Sequence, residues 1–291
     1  MEYRYITLKD ETKLYCGYSV GKDGETIIII HGGPGNGFWD QIPFIEKLSE
    51  KYNVIAFDER GVNNSDEVND NFTSEMLIDD IDEVRSIFNI DRAAFIGHSY
   101  GGHQLLRYCI KYNEHVGKAV FLCPSFDFID SLHNVIGLSK KEFEKRNMNV
   151  ADLETALSSD EFPQIFQVLV TIPEDIRNLV YGYDNVDEAT MSRVKINMPG
   201  QEEMMRSVKH QELVFSEGEL CNDRTESLKE IKCSSILIVG DHDPVCSQRQ
   251  IEKYKKCVKG GKIAILKDSY HFPYLDKITE TAEVIGAFME D

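Results

Sequence analysis

The chain has 291 residues, with 50 Asp or Glu against 32 Lys or Arg, and a formal net charge of −18. This length can bury one substantial core, or one core with an inserted subdomain, and the composition excludes disorder as the default state. The acidic balance, without any cluster of basic and aromatic residues, argues against nucleic acid and anionic membranes as partners and favours a cationic substrate.

The N-terminal residues MEYRYITLKDETK are charged, and the purest apolar run, Thr26–Ile30, is far too short to span a bilayer. We therefore expect a cytoplasmic location and no membrane partner. Seven cysteines are scattered without CxxC pairs or histidine spacing, so we predict neither a disulfide framework nor a zinc site. No metal and no cofactor are expected.

Alternating apolar and polar residues at 3–8 and 14–20 predict an antiparallel hairpin at a sheet edge. After a turn at Lys22-Asp23-Gly24, the β-branched run Thr26–Ile30 is typical of a strand buried on both faces. The loop HGGPG follows it, and its backbone N–H groups, that of Gly33 in particular, can face a ligand without side-chain obstruction. The alternative is a plain Gly-Pro turn. We expect His31 to brace this loop by hydrogen bonding rather than to act as an acid or base.

Residues 38–51 predict a helix and residues 54–57 the next strand. The polar loop DERG comes after that strand, and we expect its charges to pair with each other. An amphipathic helix follows from Ser74 to about Phe88, because its apolar residues recur at helical spacing.

Ser99 lies between glycines in the stretch Gly97-His98-Ser99-Tyr100-Gly101, with a predicted strand before it and a predicted helix after it. A strand-to-helix turn this sharp lifts the hydroxyl above the sheet edge and leaves no room for side chains at its flanks. The N-terminus of the following helix favours negative charge that develops there. The pattern predicts a nucleophilic serine; the alternative is an ordinary glycine-rich turn.

From residue 125 to residue 230 strand patterns are absent and charged, methionine-containing helical stretches replace them. A helical insertion of this length between two strands of a parallel sheet is best explained as a cap over the strand ends. We predict a core domain of residues 1–124 and 231–291 and a helical cap of residues 125–230. Some cap aromatic and methionine residues should line a substrate pocket.

The sheet resumes at residues 235–239, and Asp243 follows this strand in the loop GDHDP. A further strand at residues 263–266 precedes His271, and a helix at residues 278–289 closes the sequence. In open α/β sheets the strand ends meet at one rim, so Ser99, Asp243 and His271 are expected there together. This chain order of nucleophile, acid and base is that of α/β hydrolases.

Several other side chains compete for these roles. Asp241 is the main alternative to Asp243 as the acid. His98 adjoins Ser99, but adjacent side chains on such a turn diverge, so we expect a wall or packing residue. His103 is expected on the surface or in the core, and His242 does not lie on a separate loop.

The motifs HGGPG, DERG, GHSYGG, GDHDPV and SYHF, spread from residue 26 to residue 272, resemble the proline iminopeptidase branch of α/β hydrolases. The resemblance implies a mostly parallel, doubly wound sheet with an inserted helical cap. It implies Ser99 as nucleophile, His271 as base and Asp243 as acid. It also implies an oxyanion hole made by the backbone N–H groups of Gly33 and Tyr100.

Iminopeptidases hold the free α-amine of the substrate with carboxylates, and in some relatives one stands directly after the triad aspartate, where this chain has Pro244. Glu202 and Glu203 are our first candidates for the carboxylate that binds the α-amine. Glu212, Glu217 and Glu219 are further candidates. Solvated surface carboxylates are the competing interpretation.

We therefore predict a serine hydrolase that acts through an acyl-enzyme. The first substrate hypothesis is an aminopeptidase of proline iminopeptidase type that releases proline or a small apolar residue from short peptides. The alternatives are a carboxylesterase or small-molecule ester or amide hydrolase and, in another class, a weakly catalytic ligand receptor. The expected partner is a small molecule or short peptide, and the oligomeric state stays open.

Overall fold

The computed structural model describes residues 1–21, 24–69 and 71–291. Lys22 and Asp23, where the sequence predicts a turn, lie outside the described residues. Within the described ranges eight strands form one sheet in the order β1-β2-β4-β3-β5-β6-β7-β8. The strands are β1 (Glu2–Thr7), β2 (Lys13–Ser19), β3 (Thr26–Ile30), β4 (Asn53–Phe57), β5 (Ala93–His98), β6 (Val116–Leu122), β7 (Ser234–Gly240) and β8 (Lys262–Leu266).

Helices cover both faces of this sheet and fill the long connection between β6 and β7. They are α1 (Ile42–Leu48), α2 (Ser74–Ile87), α3 (Tyr100–Lys111), α4 (Phe128–Lys145), α5 (Ala151–Leu157), α6 (Phe162–Thr171), α7 (Glu174–Tyr181), α8 (Glu188–Ile196), α9 (Gln201–Glu217), α10 (Gln248–Cys257), α11 (Pro273–Asp276) and α12 (Ile278–Glu290). No helix among the described residues has both the length and the apolar character needed to cross a bilayer.

The sheet is antiparallel at one edge and parallel elsewhere. β1 and β2 form a hairpin, and β2 pairs antiparallel with β4, while every pairing from β4 through β8 is parallel. The prediction of a mostly parallel α/β sheet is confirmed.

The isoleucines of β3 explain why this strand lies in the middle of the molecule. Successive side chains of a strand point to opposite faces. Ile28 and Ile30 accordingly pack into the apolar core on one face of the sheet, and Ile27 and Ile29 pack into the core on the other. A continuous apolar run is what a strand covered by helices on both faces requires.

Two expectations for the N-terminal half are wrong. The helix predicted over residues 38–51 is a 3₁₀ turn at Trp39–Gln41 followed by the shorter α1, which begins beside Pro43, a residue suited to the first helical turn. The charges of DERG do not pair with each other. Arg60 instead forms a bidentate pair with the buried Asp80, at 2.6 Å for both contacts.

Residues 123–233, all of them described, form α4–α9 and short 3₁₀ turns and contain no strand. Apolar side chains of α4, α5, α6 and α7 form their own cluster, which Val245 of the β7–α10 loop joins. We retain the division into a core and a cap at residues 125 and 230 as a proposal. The carboxyl ends of β5, β7 and β8 face this helical layer, so the loops after these strands carry the site.

Candidate active site

The predicted nucleophile Ser99 lies at the turn between β5 and α3. Its backbone has φ 53° and ψ −119°, a conformation that costs a non-glycine residue free energy and persists only where the surroundings hold it. The turn leaves Ser99 at the carboxyl edge of the sheet, directly before the first residue of α3. Partial positive charge at that helix end favours negative charge near the hydroxyl.

The glycines beside Ser99 are required by close backbone contacts. A Cβ atom on Gly97 would lie 2.3 Å from the carbonyl oxygen of Gly101, and one on Gly101 would lie 2.4 Å from that of Ile30. Backbone atoms of a strand and a helix cannot move aside as a flexible side chain can. The Gly-X-Ser-X-Gly pattern is therefore a consequence of how tightly α3 packs against β3 and β5.

Ser99, His271 and Asp243 form one chain of hydrogen bonds, which we call the relay. The Nε2 atom of His271 lies 3.0 Å from the Oγ of Ser99, and its Nδ1 lies 2.8 Å from the Oδ1 of Asp243. The side chains of His271 and Asp243 are 4% and 0% exposed. A proton on Nδ1 that is donated to the carboxylate leaves Nε2 free to accept the serine proton.

The carboxylate of Asp243 is held in place by backbone groups. It accepts from the N–H groups of Val245 and Cys246 at 3.0 and 3.1 Å. The alternative acid, Asp241, accepts instead from the N–H of Ser269 at 3.3 Å and is partly exposed. The structure therefore places Asp243, and not Asp241, against the imidazole.

His98 is buried behind the relay, where it contacts the base. Its Nε2 lies 2.9 Å from the carbonyl oxygen of His271. Burial, with the neighbouring His271 ring, holds the pKa of His98 well below its ordinary value, so the ring is neutral. With its one proton on Nε2, His98 donates to this carbonyl and braces the His271 loop, a more specific role than the wall residue that the sequence predicts.

His103 and His242, the other two histidines that the sequence offers as a base, lie away from the proton path. His103 is buried in α3, and burial lowers its pKa to about 3. His242 is about half exposed and lies against the ring of Tyr270. Neither is placed to act on Ser99.

The loop HGGPG is braced by His31, as its sequence predicts. The Nδ1 atom of His31 lies 2.8 Å from the oxygen of Gly32, and its Nε2 accepts from the N–H of Glu59 at 3.3 Å. Gly33, with φ +127°, lines the cavity beside Ser99. Tyr100 is the first residue of α3, so the helix offers its backbone N–H no acceptor. An oxyanion hole at these two groups stays a prediction.

A cavity of about 420 Å³ opens at Ser99, and we call it the Ser99 pocket. Its volume suits a small-molecule ligand, and most of its wall comes from α4, α6, α7 and α9. The apolar lining side chains are Pro34, Phe128, Leu132, Val135, Phe166, Leu169, Val170, Phe215, Val245 and Phe272. A larger cleft of about 690 Å³ between α1, α8 and α12 contains no residue of the relay. We therefore assign the active site to the smaller Ser99 pocket, which contains Ser99 and His271.

The predicted amine-binding carboxylates do not reach the Ser99 pocket. Glu202 lines a separate surface cavity with Glu67 and Lys209, and the carboxylate of Glu203 lies against Gly200 at the start of α9. Of the further candidates, Glu217 accepts from the backbone N–H of Ser74 and Glu219 pairs with Arg224. No Asp or Glu is among the described residues that line the pocket.

Sequence reasoning missed the polar side chains that the helical layer contributes to the site, among them Arg177 and Gln211. Arg177 of α7 lines the Ser99 pocket, and Gln211 of α9 donates to the carbonyl oxygen of Pro34 at 2.8 Å. The only sequence signal for Arg177 is its spacing of four residues from Tyr181, which places both on one helix face. Which face is turned inward depends on packing that the sequence does not specify.

In the part of the chain that the structure describes, two groups of side chains have metal-ligating atoms within 4.8 Å of one another. The first, Cys123 with Asp243 and His271, coincides with the relay. Burial raises the pKa of the Cys123 thiol well above its ordinary value, which disfavours the thiolate that a metal binds. The second, Asp241 with His242 and Asp268, is exposed. We assign a metal to neither.

Residues 25–278 match the family described as the alpha/beta hydrolase fold. A proline iminopeptidase of Heyndrickxia coagulans is 25% identical, with 91% of both chains covered. A bifunctional esterase/perhydrolase of Acinetobacter calcoaceticus is 27% identical, with 89% of both chains covered. The solved structure of a proline iminopeptidase-related protein from Thermus thermophilus superposes with a TM-score of 0.74 at 18% identity, over 99% of this chain and 96% of that one. The resemblance that the motifs indicate is confirmed.

Proposed function

Because the chain belongs to the α/β-hydrolase fold family, we propose that it is a serine hydrolase that cleaves an ester or amide bond through an acyl-enzyme at Ser99. The observation that carries the proposal is the relay, with 3.0 Å from Ser99 Oγ to His271 Nε2 and 2.8 Å from His271 Nδ1 to Asp243 Oδ1. A serine hydroxyl is a poor nucleophile near neutral pH and needs an adjacent base that is itself held by a carboxylate.

In the first half of the reaction Ser99 Oγ forms a bond to the carbonyl carbon while its proton passes to His271 Nε2. The carbonyl oxygen becomes negatively charged and accepts hydrogen bonds from the N–H groups of Gly33 and Tyr100. The bond from the carbonyl carbon to the leaving group then breaks, and the leaving group takes the proton from His271. The acyl group remains on Ser99.

In the second half water replaces the leaving group. His271 Nε2 accepts a proton from the water as its oxygen attacks the acyl carbon, and then returns that proton to Ser99 Oγ as the ester to the enzyme breaks. The products are a carboxylic acid and the free enzyme. Asp243 accepts the hydrogen bond from His271 Nδ1 and stabilises the imidazolium in both halves.

The apolar lining of the Ser99 pocket favours a substrate with an apolar acyl or leaving group, cleaved as an ester or amide. The second candidate is an aminopeptidase of proline iminopeptidase type, favoured by the relative that is 25% identical over 91% of this chain. An aminopeptidase needs a partner for the α-amine, and no carboxylate is found among the described residues that line the pocket.

Labelling with a fluorophosphonate probe tests the proposed chemistry directly. We expect the wild-type protein to be labelled and Ser99→Ala to be unlabelled, since the probe reacts only with an activated serine. A correctly folded wild-type protein that takes no label would refute the serine-hydrolase proposal and support a ligand receptor instead.

A panel of short acyl esters and aminoacyl arylamides separates the two substrate classes. Turnover of acyl esters with no release from the arylamides of proline or small apolar residues selects the ester or amide hydrolase. Efficient release from prolyl arylamide selects the aminopeptidase.

A further inference from the structure

The Ser99 pocket contains one permanently charged side chain, Arg177, among the described residues that line it. Arg177 precedes Tyr181 by four residues on α7, so the two side chains are neighbours on one helix face. The Tyr181 ring packs edge-on against the His271 ring, with 5.5 Å between their centroids. Arg177 is therefore separated from the base of the relay by one aromatic side chain and one helical turn.

Arg177 has no carboxylate partner within residues 1–21, 24–69 and 71–291. Every other arginine contacts a carboxylate, a carbonyl oxygen or an aromatic ring. The acid that lies two residues away on the same helix, Asp175, is paired with Arg146 on the outer side. The guanidinium of Arg177 thus keeps its donors for a group that enters the pocket.

We propose that the substrate carries a carboxylate and that Arg177 binds it. This inference rests on the proposed serine-hydrolase function and names the substrate class of that same site. The side chain of Arg177 is partly shielded from solvent, and a planar carboxylate can satisfy its guanidinium with two parallel N–H···O bonds.

The position of Arg177 sets where the carboxylate lies in the substrate. One helical turn advances about 5.4 Å along the axis, so the anion is several bonds from the carbonyl that Ser99 attacks. The apolar side chains of α4 and α6 line the same pocket and can accommodate an aliphatic or aromatic spacer. A half-ester of a dicarboxylic acid, or an ester whose leaving group bears a carboxylate, has this arrangement.

This local cation distinguishes the pocket from the molecule around it. The net charge of −18 favours cationic ligands at long range, but exposed charges are screened over about 8 Å at physiological salt. A carboxylate bound to Arg177 lies within hydrogen-bonding distance of the guanidinium, which is much shorter than this screening length. The pocket therefore favours an anionic substrate, although the net charge of the whole molecule favours cations.

Matched 4-nitrophenyl esters test the proposal. The mono-4-nitrophenyl ester of adipic acid carries a carboxylate on its acyl group, and 4-nitrophenyl hexanoate is its neutral counterpart. The quantity compared is kcat/KM for the anionic ester divided by kcat/KM for the neutral ester. We expect Arg177→Gln to lower this ratio at least about tenfold, a difference typical of a lost charge-assisted hydrogen bond.

Two variants serve as controls in this comparison. Arg177→Lys keeps the charge but loses the bidentate geometry, so its ratio should be intermediate. Arg193→Gln removes an exposed arginine of α8 that pairs with Glu46 and should leave the ratio unchanged.

A second pair of substrates, 4-carboxyphenyl hexanoate and phenyl hexanoate, places the carboxylate on the leaving group. A lowered ratio in either pair supports the proposal.

Equal losses on the anionic and neutral esters in both pairs would overturn the inference, because they would indicate a structural role for Arg177. Unchanged ratios in both pairs would overturn it as well. Absence of any turnover and of fluorophosphonate labelling would contradict the proposed function instead. In that case calorimetric titration with adipate tests the carboxylate site by itself. Binding at least about tenfold weaker to Arg177→Gln than to the wild type supports the site, and equal binding to the two proteins overturns it.

Discussion

Asp243 and Asp241 stand two residues apart, and the direction of each side chain separates their roles. Asp243 Oδ1 lies 2.8 Å from His271 Nδ1, whereas Asp241 accepts from the backbone ahead of His271. We predict that Asp243→Asn lowers kcat roughly 10³–10⁴-fold, because the amide no longer holds the imidazole in its working tautomer. Steady-state hydrolysis of a 4-nitrophenyl ester measures the loss.

Asp241→Asn is the matched control for Asp243→Asn. It weakens one backbone hydrogen bond and should lower kcat about tenfold at most. Comparable losses in the two variants would contradict the assignment of Asp243 as the acid and would indicate that the loop as a whole sets activity.

Residues of the site differ in how far the sequence predicts them. Ser99, Asp243 and His271 were predictable because each follows a strand, and parallel strands bring their carboxyl ends to one rim. Arg177 was not, because a helix of eight residues presents several possible faces. The brace from His98 to the His271 carbonyl joins loops that are far apart in the chain, so no local pattern indicates it.

At the scale of elements, the junction of β5 with α3 depends on the absence of a side chain at Gly97. We predict that Gly97→Ala lowers the free energy of unfolding by about 3 kcal/mol, since the new Cβ would meet a backbone carbonyl that cannot yield. Urea unfolding gives the change. Esterase activity should fall with it, because relief of the clash must move Ser99.

Gly137 in the middle of α4 provides the opposite case. A Cβ atom there would meet no other atom within 4 Å, so Gly137→Ala should raise the free energy of unfolding by about 0.5–1 kcal/mol through reduced backbone entropy in the unfolded chain. Equal unfolding midpoints for Gly97→Ala and wild type would show that the turn between β5 and α3 tolerates a methyl group and that close packing does not require glycine there.

Elements with a clear apolar pattern were predicted well, as with β3 and α2. The segment before β4 was not, because its helical spacing continues through Pro43 while its first turn is 3₁₀. The partner of Arg60 was also unpredictable from local sequence. It lies 20 residues away on α2, and only the packing of α2 brings the two together.

At the scale of the whole molecule, stability depends on carboxyl groups buried in a chain that is already strongly acidic. Burial raises the pKa of Asp40 to about 7 and that of Asp58 to about 7. A carboxyl whose pKa is raised on folding contributes stability while it is protonated and loses it as pH rises toward the folded value. Buried histidines with lowered pKa values, such as His103, act in the opposite sense below about pH 6.5, so total stability against pH is not diagnostic.

The difference between wild type and Asp40→Asn isolates one carboxyl from these opposing groups. The ordinary pKa of Asp40 is 3.8 and its folded value is about 7, so the wild type binds an extra proton on folding only between these values. Relative to Asp40→Asn, it should lose up to about 1.4 kcal/mol of unfolding free energy per pH unit from pH 5 to pH 7. Above pH 8 the difference should be constant, because Asp40 is then ionised in both states.

Urea unfolding at pH 5, 6, 7 and 8 measures this difference, with Asp152→Asn on the exposed face of α5 as the matched control. Asp152→Asn should show the same pH dependence as the wild type, because this side chain is exposed. A difference between wild type and Asp40→Asn that stays constant from pH 5 to pH 8 would mean that Asp40 is ionised in the folded protein. The Tyr274 hydroxyl, which donates to Asp40 at 2.8 Å, would then outweigh burial in setting its charge.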